Sequence, residues 1–256
     1  MSGAARGTHG WAGRFPGFDA LDQVRHWDQV TAEVVLARTG PPAAVKFFTE
    51  PEESCARALL NLLTGQDQRG GASSVPVLEM VDSRLAAGET DGWRYADMPE
   101  DGQAWRDTLA FLDGDAYERC GAPLADAPEA DQKALVQAVQ DLKSAHWHRL
   151  PAAHVWSLWT RYACTAFYAH PFAWTEIGFP GPAYPRGYKN TGVGKLEPFE
   201  VRDAQPAEDP VREAGLWMAS GRGTSRPGCC PTTAPGPTTA CGGTCAGSPM
   251  RTRSTW

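Results

Sequence analysis

The chain has 256 residues, 42% of them hydrophobic and 21% charged, enough for one domain with a real core plus appendages. A net charge of -6 argues against a nucleic-acid partner, and no apolar run reaches the ~18 residues that a bilayer span needs. The charge is uneven: all 30 acidic and 20 of the 24 basic residues precede Leu216, so the body carries -10, and the tail, charged only at Arg222, Arg226, Arg251 and Arg253, carries +4.

Residues 1–46 read as an irregular arm. The first residues, from Met1 to Gly10, offer neither the apolar stretch of a secretory signal nor twin arginines, which points to the cytoplasm. Arg14-Phe15-Pro16-Gly17-Phe18-Asp19 is a turn, and residues 21–37 predict one helix with Val24, Trp27, Val30, Val34 and Leu36 roughly on one side, broken by Gly40-Pro41-Pro42. The first firm helix follows Phe47-Phe48. Thr49 is its N-cap, Glu52 completes a capping box, Pro51 suits the first turn, and Cys55, Leu59, Leu62 and Leu63 repeat at helical spacing. Residues 66–74 are a polar, Gly-rich loop. A second helix begins at Val75-Pro76, carries the stripe Val77, Val81 and Leu85, and stops at Gly88.

Pro99-Glu100-Asp101 opens a third helix with acids at its positive end; Trp105, Leu109, Leu112 and Ala116, extended by Tyr117 and Cys120, form its apolar face, and Gly121 stops it. Asp126-Ala127-Pro128-Glu129 opens a fourth with a carboxylate cap, and Leu135, Val139 and Leu142 point inward. The fifth starts at Pro151 and ends at His170, because Pro171 pushes the residue before it out of helical geometry. It is apolar nearly all round: Val155, Leu158, Trp159, Tyr162, Ala163 and Ala166 on one side, Trp156, Thr160, Cys164 and Phe167 over much of the rest, and Arg161 as its lone Lys, Arg, Asp or Glu between Ala152 and Ala169. Such a helix is buried on both sides, at the centre of its domain or against a partner. Cys55, Cys120 and Cys164 stand isolated on predicted helices, as small buried hydrophobes without a disulfide framework. No stretch alternates as a strand must. The predicted fold is all-α: an irregular bundle of about five helices over residues 47–200, with an extended N-terminal arm and a long irregular C-terminal segment over residues 201–256.

Catalytic and cofactor signatures are missing. A dinucleotide site needs Gly-x-Gly-x-x-Gly between strand and helix; Gly70-Gly71 and Gly192-Val193-Gly194 lack that setting. There is no Cys-x-x-Cys-His for a c-type haem, no Glu-x-x-His for a di-iron bundle, and no Gly-x-Ser-x-Gly elbow. His146, His148 and His154 are the one histidine cluster, readable as metal ligands or as a polar helix junction. In the tail, Cys229-Cys230 and Cys241-x-x-x-Cys245 offer thiols without zinc-ribbon spacing. Two readings fit that Gly/Pro/Thr/Cys-rich segment: an unstructured tail, or out-of-frame translation of a GC-rich gene. No catalytic, cofactor-binding or metal residue is assigned.

Surface chemistry remains. The stretch from Trp147 to Tyr188 is dense in aromatics, and after Pro171 it becomes a Gly/Pro/aromatic strip in which Pro180, Pro182 and Pro185 deny regular backbone pairing. Aromatics in such a strip suit a partner better than a private core, so Trp174, Ile177, Phe179, Tyr184, Arg186 and Tyr188 are the candidate interface.

Several stretches, taken in order from Arg14 to Glu200, resemble one family. They are Arg14-Phe-Pro-Gly-Phe-Asp19, Phe47-Phe-Thr-Glu-Pro-Glu-Glu53, Val75-Pro-Val with Asp82, Trp93-Arg-Tyr-Ala-Asp-Met-Pro99 followed by Trp105-Arg106, and Tyr168-Ala-His-Pro171 with Trp174-x-Glu176-Ile-Gly-Phe179, Gly181-Pro182 and Pro185-Arg-Gly-Tyr188. The sequence resembles the gluconate 2-dehydrogenase subunit 3 family. The resemblance implies a small, cofactor-free, non-catalytic subunit. It implies a large flavoprotein partner of the glucose-methanol-choline oxidoreductase class that carries FAD, and in some complexes a cytochrome c subunit. Where family members bear a twin-arginine signal and carry the flavoprotein across a membrane, this chain departs from the pattern. Two rivals stand beside that reading: a stand-alone helical enzyme with a metal at His146, His148 and His154, and a general scaffold without a dehydrogenase partner.

Overall fold

A computed structural model of the chain describes residues 15–66 and 74–204. The expectations for residues 1–14, for Gly70-Gly71 and for the tail with Cys229, Cys230, Cys241 and Cys245 lie outside the described residues. Within them the elements are a 3-10 turn at Ala20–His26, α1 at Gln29–Ala37, α2 at Glu50–Thr64, α3 at Val77–Ala86, α4 at Asp101–Cys120, a short 3-10 turn at Leu124–Asp126, α5 at Glu129–Asp141, the two-residue strands β1 (His146–Trp147) and β2 (Leu150–Pro151), α6 at Ala152–Tyr168 and α7 at Pro171–Ile177. The fold is all-α, as predicted.

Polar side chains fix where the helices begin. At α2 both halves of the capping box form: the Thr49 side chain accepts from the third helical N–H, and the Thr49 N–H donates to Glu52 at 2.8 Å. Arg106 of α4 then donates to the same Glu52 carboxylate (2.7 Å) and to the Phe47 carbonyl (2.8 Å), seating α4 against the head of α2. Burial acts upward on Glu52, but the bonds from Thr49 and Arg106 outweigh it and hold its carboxyl below the ordinary range. Asp82, 1% exposed on α3, accepts from the N–H groups of Lys46, Phe47 and Phe48 at 2.7–3.0 Å. One buried carboxylate thus satisfies three loop donors that would otherwise be orphaned.

The predicted fifth helix is α6, and it is the hub, packed on α2, α3, α4 and α5. Its Val155, Leu158, Trp159 and Tyr162 meet Leu59 and Leu60 of α2, Val81 of α3, and Trp105, Leu109 and Leu112 of α4 in one core. The Trp159 indole donates to Thr108 (3.1 Å), so this core ring is buried without leaving its N–H unpaired, whereas the Trp105 indole N–H, equally buried, has no partner. The far side of α6 is open where Cys164, Thr165 and Tyr168 reach the surface.

Several details differ from the sequence reading. The single helix expected over residues 21–37 is split by Trp27 and Asp28, both extended in backbone. That break and the tighter 3-10 winding reset the helical phase. Of the expected stripe only Trp27 is buried: Val24 is half-buried, Val30, Val34 and Leu36 face solvent, and the residue that α1 buries is Val35, outside that stripe. Asp126 does not cap α5; it sits in the preceding 3-10 turn, and Pro128 takes the cap position. Tyr117 is exposed at the end of α4, and Leu142, just past α5, is exposed rather than inward. Cys55 is buried, Cys120 half-buried and Cys164 exposed, so the buried-hydrophobe expectation holds for the first alone. Burial drives the Cys55 thiol far up, with the Asp113 carboxylate adding to it. The β1–β2 pair, antiparallel with Trp147 opposite Leu150, is too short for alternation to reveal.

A second, smaller core joins Ala20, Trp27 and Val35 to Trp174 of α7. Part of the expected irregular arm is therefore folded, and it packs on the element that follows α6.

Candidate functional site

The corner between α6 and α7 positions the candidate interface. Pro171 ends α6 as predicted, but it also starts α7 as its first residue, where its missing N–H costs nothing. His170 is the N-cap. Its Nε2 lies 2.8 Å from the Arg38 carbonyl, which can only accept, so Nε2 carries the proton and Nδ1 accepts from the Phe172 N–H at 3.2 Å. Arg38 returns a bond to the Ala169 carbonyl (2.7 Å). Burial pushes His170 below its ordinary pKa; the bond to the Arg38 carbonyl opposes this and the Arg38 charge reinforces it.

Trp174 lies on the inner face of α7. Its indole donates to the Tyr168 carbonyl (2.6 Å), its ring stands edge-on to Trp27 and Phe179 at 6.3 and 5.4 Å, and it is 5% exposed. The sequence reading had placed it on a partner surface, in an extended strip. The first part of that strip is helix, and Trp174 belongs to the chain's own core. Gly178 closes α7 at a φ of 70°, and Gly181, at 77°, lies against the Trp27 ring where a Cβ would overlap it. Arg186 also turns inward: Nη1 donates to Gln23 (3.0 Å) and the guanidinium sits 3.8 Å from the Phe199 ring centre, while Nε and Nη2 are enclosed without a partner. Burial lowers its pKa, against the opposing pull of Tyr188. Glu197, buried, accepts from the N–H groups of Lys189 and Asn190 and so closes the loop beyond Tyr188.

What stays outward is Ile177, Phe179, Tyr184 and Tyr188, with Tyr184 67% exposed, and Tyr168 on the adjoining end of α6. Four of the six candidate residues are thus available to a partner, and Trp174 and Arg186 fix the backbone that displays them. Aromatic character alone does not separate Trp174 from Tyr184. The signal that does is local: Trp174 lies three residues after Pro171, one helical turn in, if Pro171 is read as a helix start.

A second display was missed. The loop over residues 87–100 exposes Trp93 and Tyr95, which break no periodic pattern because none surrounds them. Arg161, the lone charge of α6, explains its own presence: it pairs with Asp91 and, at 3.3 Å, with Asp101, and stands over the Trp93 ring at 4.8 Å. Arg84 of α3 also pairs with Asp91, and the Tyr162 hydroxyl donates to Asp101 (2.7 Å). Burial acts upward on Asp91, but its bonds with Arg84 and Arg161 prevail and hold it below the ordinary carboxylate range.

The histidines have separate partners. His148 meets Asp115 at 2.8 Å, beside the Trp147 indole that donates to the same carboxylate, and His154 meets Asp97 at 2.9 Å. They do not converge, and among the described residues no group of three or more His, Cys, Asp or Glu side chains is arranged to hold a metal. No described helix is long and apolar enough to cross a membrane.

Residues 50–181 match the sequence profile of the gluconate 2-dehydrogenase subunit 3 family. The match spans just over half of the chain, from the first residue of α2 through the corner, and the chain belongs to that family. It is therefore a member of a family of dehydrogenase-complex subunits. No curated protein and no solved structure matches the chain.

Proposed function

We propose that this family member is a non-catalytic accessory subunit that binds and stabilises a flavin-dependent dehydrogenase subunit of the glucose-methanol-choline class, with FAD held by that partner. The observation that carries this reading is the corner: Ile177, Phe179, Tyr184 and Tyr188 lie open on a backbone already fixed by Trp174, His170 and Arg186. A surface ordered in advance loses little entropy on docking, and exposed aromatics are the side chains that most often dominate interfaces. Substrate oxidation and any transfer of electrons to a cytochrome c subunit belong to the partners in this reading; the chain supplies a rigid apolar seat.

The test is co-expression with the dehydrogenase subunit, followed by measured affinity. Phe179→Ala and Tyr184→Ala are each expected to weaken binding by at least about 1 kcal/mol. Melting of the isolated chain is expected to be unchanged for Tyr184→Ala, since Tyr184 is 67% exposed, and lowered slightly for Phe179→Ala, since Phe179 is 37% exposed and stands against Trp174. The isolated chain is expected to lack flavin absorbance and to reduce no dye acceptor with gluconate or glucose. Full binding by both variants, or a stoichiometric flavin on the chain alone, would overturn the reading.

A further inference from the structure

We propose that the loop over residues 87–100 is a second docking surface, and that its occupant is a basic side chain, arginine or lysine, of the dehydrogenase subunit. This rests on the partner reading above. The site runs along α6 from His154 to Tyr162, and its Glu89 also lines a pocket with Thr165 and Ala169, on the side toward the corner.

The loop is long and irregular, yet its side chains are held. Asp91 is gripped by Arg84 and Arg161. Tyr95 is stacked on His154, with ring centres 3.7 Å apart and planes 1° from parallel, and His154 is bonded to Asp97. Arg94 donates to the Met98 carbonyl at 2.9 Å. Trp93 stands edge-on to Tyr95 at 5.4 Å and leaves half its surface in water. A loop tied at this many points needs little ordering on binding. The structure thus spends two arginines and a histidine on keeping an exposed tryptophan in place.

Charge selects the occupant. Trp93 shares a cleft of about 560 Å³ with Glu89, Arg94, Glu100, Asp101 and Tyr162. Asp101 is engaged with Tyr162 and Arg161, and Arg84 and Arg161 are balanced by Asp91 and Asp101. Glu89 and Glu100 are exposed and make no side-chain hydrogen bond or ion pair among the described residues. Arg94, whose guanidinium donates to the neutral Met98 carbonyl, offsets one of these two charges, so the open charge of the cleft sums to one negative. One face of Trp93 is covered by Arg161, whose charge is balanced, and the rest of the ring is open beside the free carboxylates. An aromatic face flanked by carboxylates receives a cation, and the same arrangement repels an acidic partner. The acidic body of the chain gives long-range steering of the same sign.

The experiment measures affinity for the co-expressed dehydrogenase subunit at low and at high salt. Glu89→Gln with Glu100→Gln removes charge without touching an internal bond. It is expected to weaken binding several-fold at low salt and to flatten the salt dependence. Trp93→Ala is expected to weaken binding about tenfold or more at both salts. Glu89→Lys with Glu100→Lys is the sharpest arm, since reversed charge opposes a cation outright. Affinities equal to wild type in all three would overturn the proposal. If these loop variants bind normally while Phe179→Ala and Tyr184→Ala do not, the partner reading stands and this one falls. If wild type binds no dehydrogenase subunit, both fall. Restored affinity of a glutamate-free chain toward a dehydrogenase whose facing arginine or lysine is also removed would confirm the pairing.

Discussion

The central bundle and the α7 corner bury tryptophans by different means. In the bundle, Trp105 and Trp159 lie among five helices, and each helix contributes a stripe to one continuous core. In the corner, Trp174 has Ala20, Trp27 and Val35 as its buried company, and the rest of the support is polar: His170 to the Arg38 carbonyl, Arg38 to the Ala169 carbonyl, Ala20 to Thr175 and Arg186 to Gln23. The first arrangement is stabilised by area removed from water. The second depends on single bonds between segments up to 163 residues apart in sequence. A region built that way folds around a few fixed points and leaves its other aromatics outside, which is what a docking surface requires.

Truncating one ring in each region tests that contrast, and carries the largest expected effects. Trp159→Ala leaves a cavity at the hub and removes the indole bond to the Thr108 hydroxyl, which keeps its own bond to the Trp105 carbonyl, and is expected to cost about 3–5 kcal/mol of global stability, read by urea unfolding. Trp174→Ala is expected at the low end of that range, about 3 kcal/mol, because the corner can open without the bundle. Hydrogen exchange separates the two. The second variant is expected to lose protection in α1 and α7 while α2, α4 and α6 keep theirs. Equal loss everywhere would show that the two cores are one cooperative unit.

The same contrast governs what the sequence discloses. Helices α2 to α6 are legible because each buries a periodic stripe and most of their ends are announced: Thr49 with Glu52, Gly88, Asp101, Gly121 and Pro171 act where expected, while at the start of α5 Asp126 does not. The corner has no period to read. A 3-10 turn, an extended Trp27 and a helix of two turns follow one another, and burial of each is decided by a segment distant in sequence. The candidate interface was legible as a region and not residue by residue: Ile177, Phe179, Tyr184 and Tyr188 are outward, whereas Trp174 and Arg186 were claimed by the arm that local pattern had left irregular. Trp93 and Tyr95 escaped notice because an exposed aromatic on a loop leaves no pattern, and Arg161, the one signal, pointed to them only once its partners were visible.

Gly181→Ala sharpens the comparison at smaller amplitude. The residue has positive φ, and the added methyl would overlap the Trp27 ring. The backbone cost and the overlap together are expected to destabilise the corner by about 1–3 kcal/mol. Gly114→Ala on α4 is the control, since its Cβ meets nothing within 4 Å and the helix gains propensity. A melting temperature lowered in the first variant and held or raised in the second is the expected pattern.

The smallest effect is in pH, and it belongs to the corner alone. His170 is buried and neutral, with Nδ1 serving as the cap acceptor for Phe172. Protonation would put a hydrogen where that acceptor stands and a charge beside Arg38. Its folded pKa is lowered, so between that value and the ordinary value of about 6.5 the unfolded chain binds a proton that the folded chain refuses. The sign follows: this contribution to stability is full above about pH 6.5 and is lost as pH falls through that window, by at most about 1.4 kcal/mol per pH unit for one group. His170→Asn retains a good N-cap side chain and does not titrate. The expected result is a shallower fall in corner protection between neutral and mildly acidic pH than in wild type, measured by hydrogen exchange of α7, with the bundle's pH profile the same in both. A variant whose α7 protection falls as steeply as that of wild type would mean that other groups set the acid response, and that the His170 bond is a structural tie without a pH role.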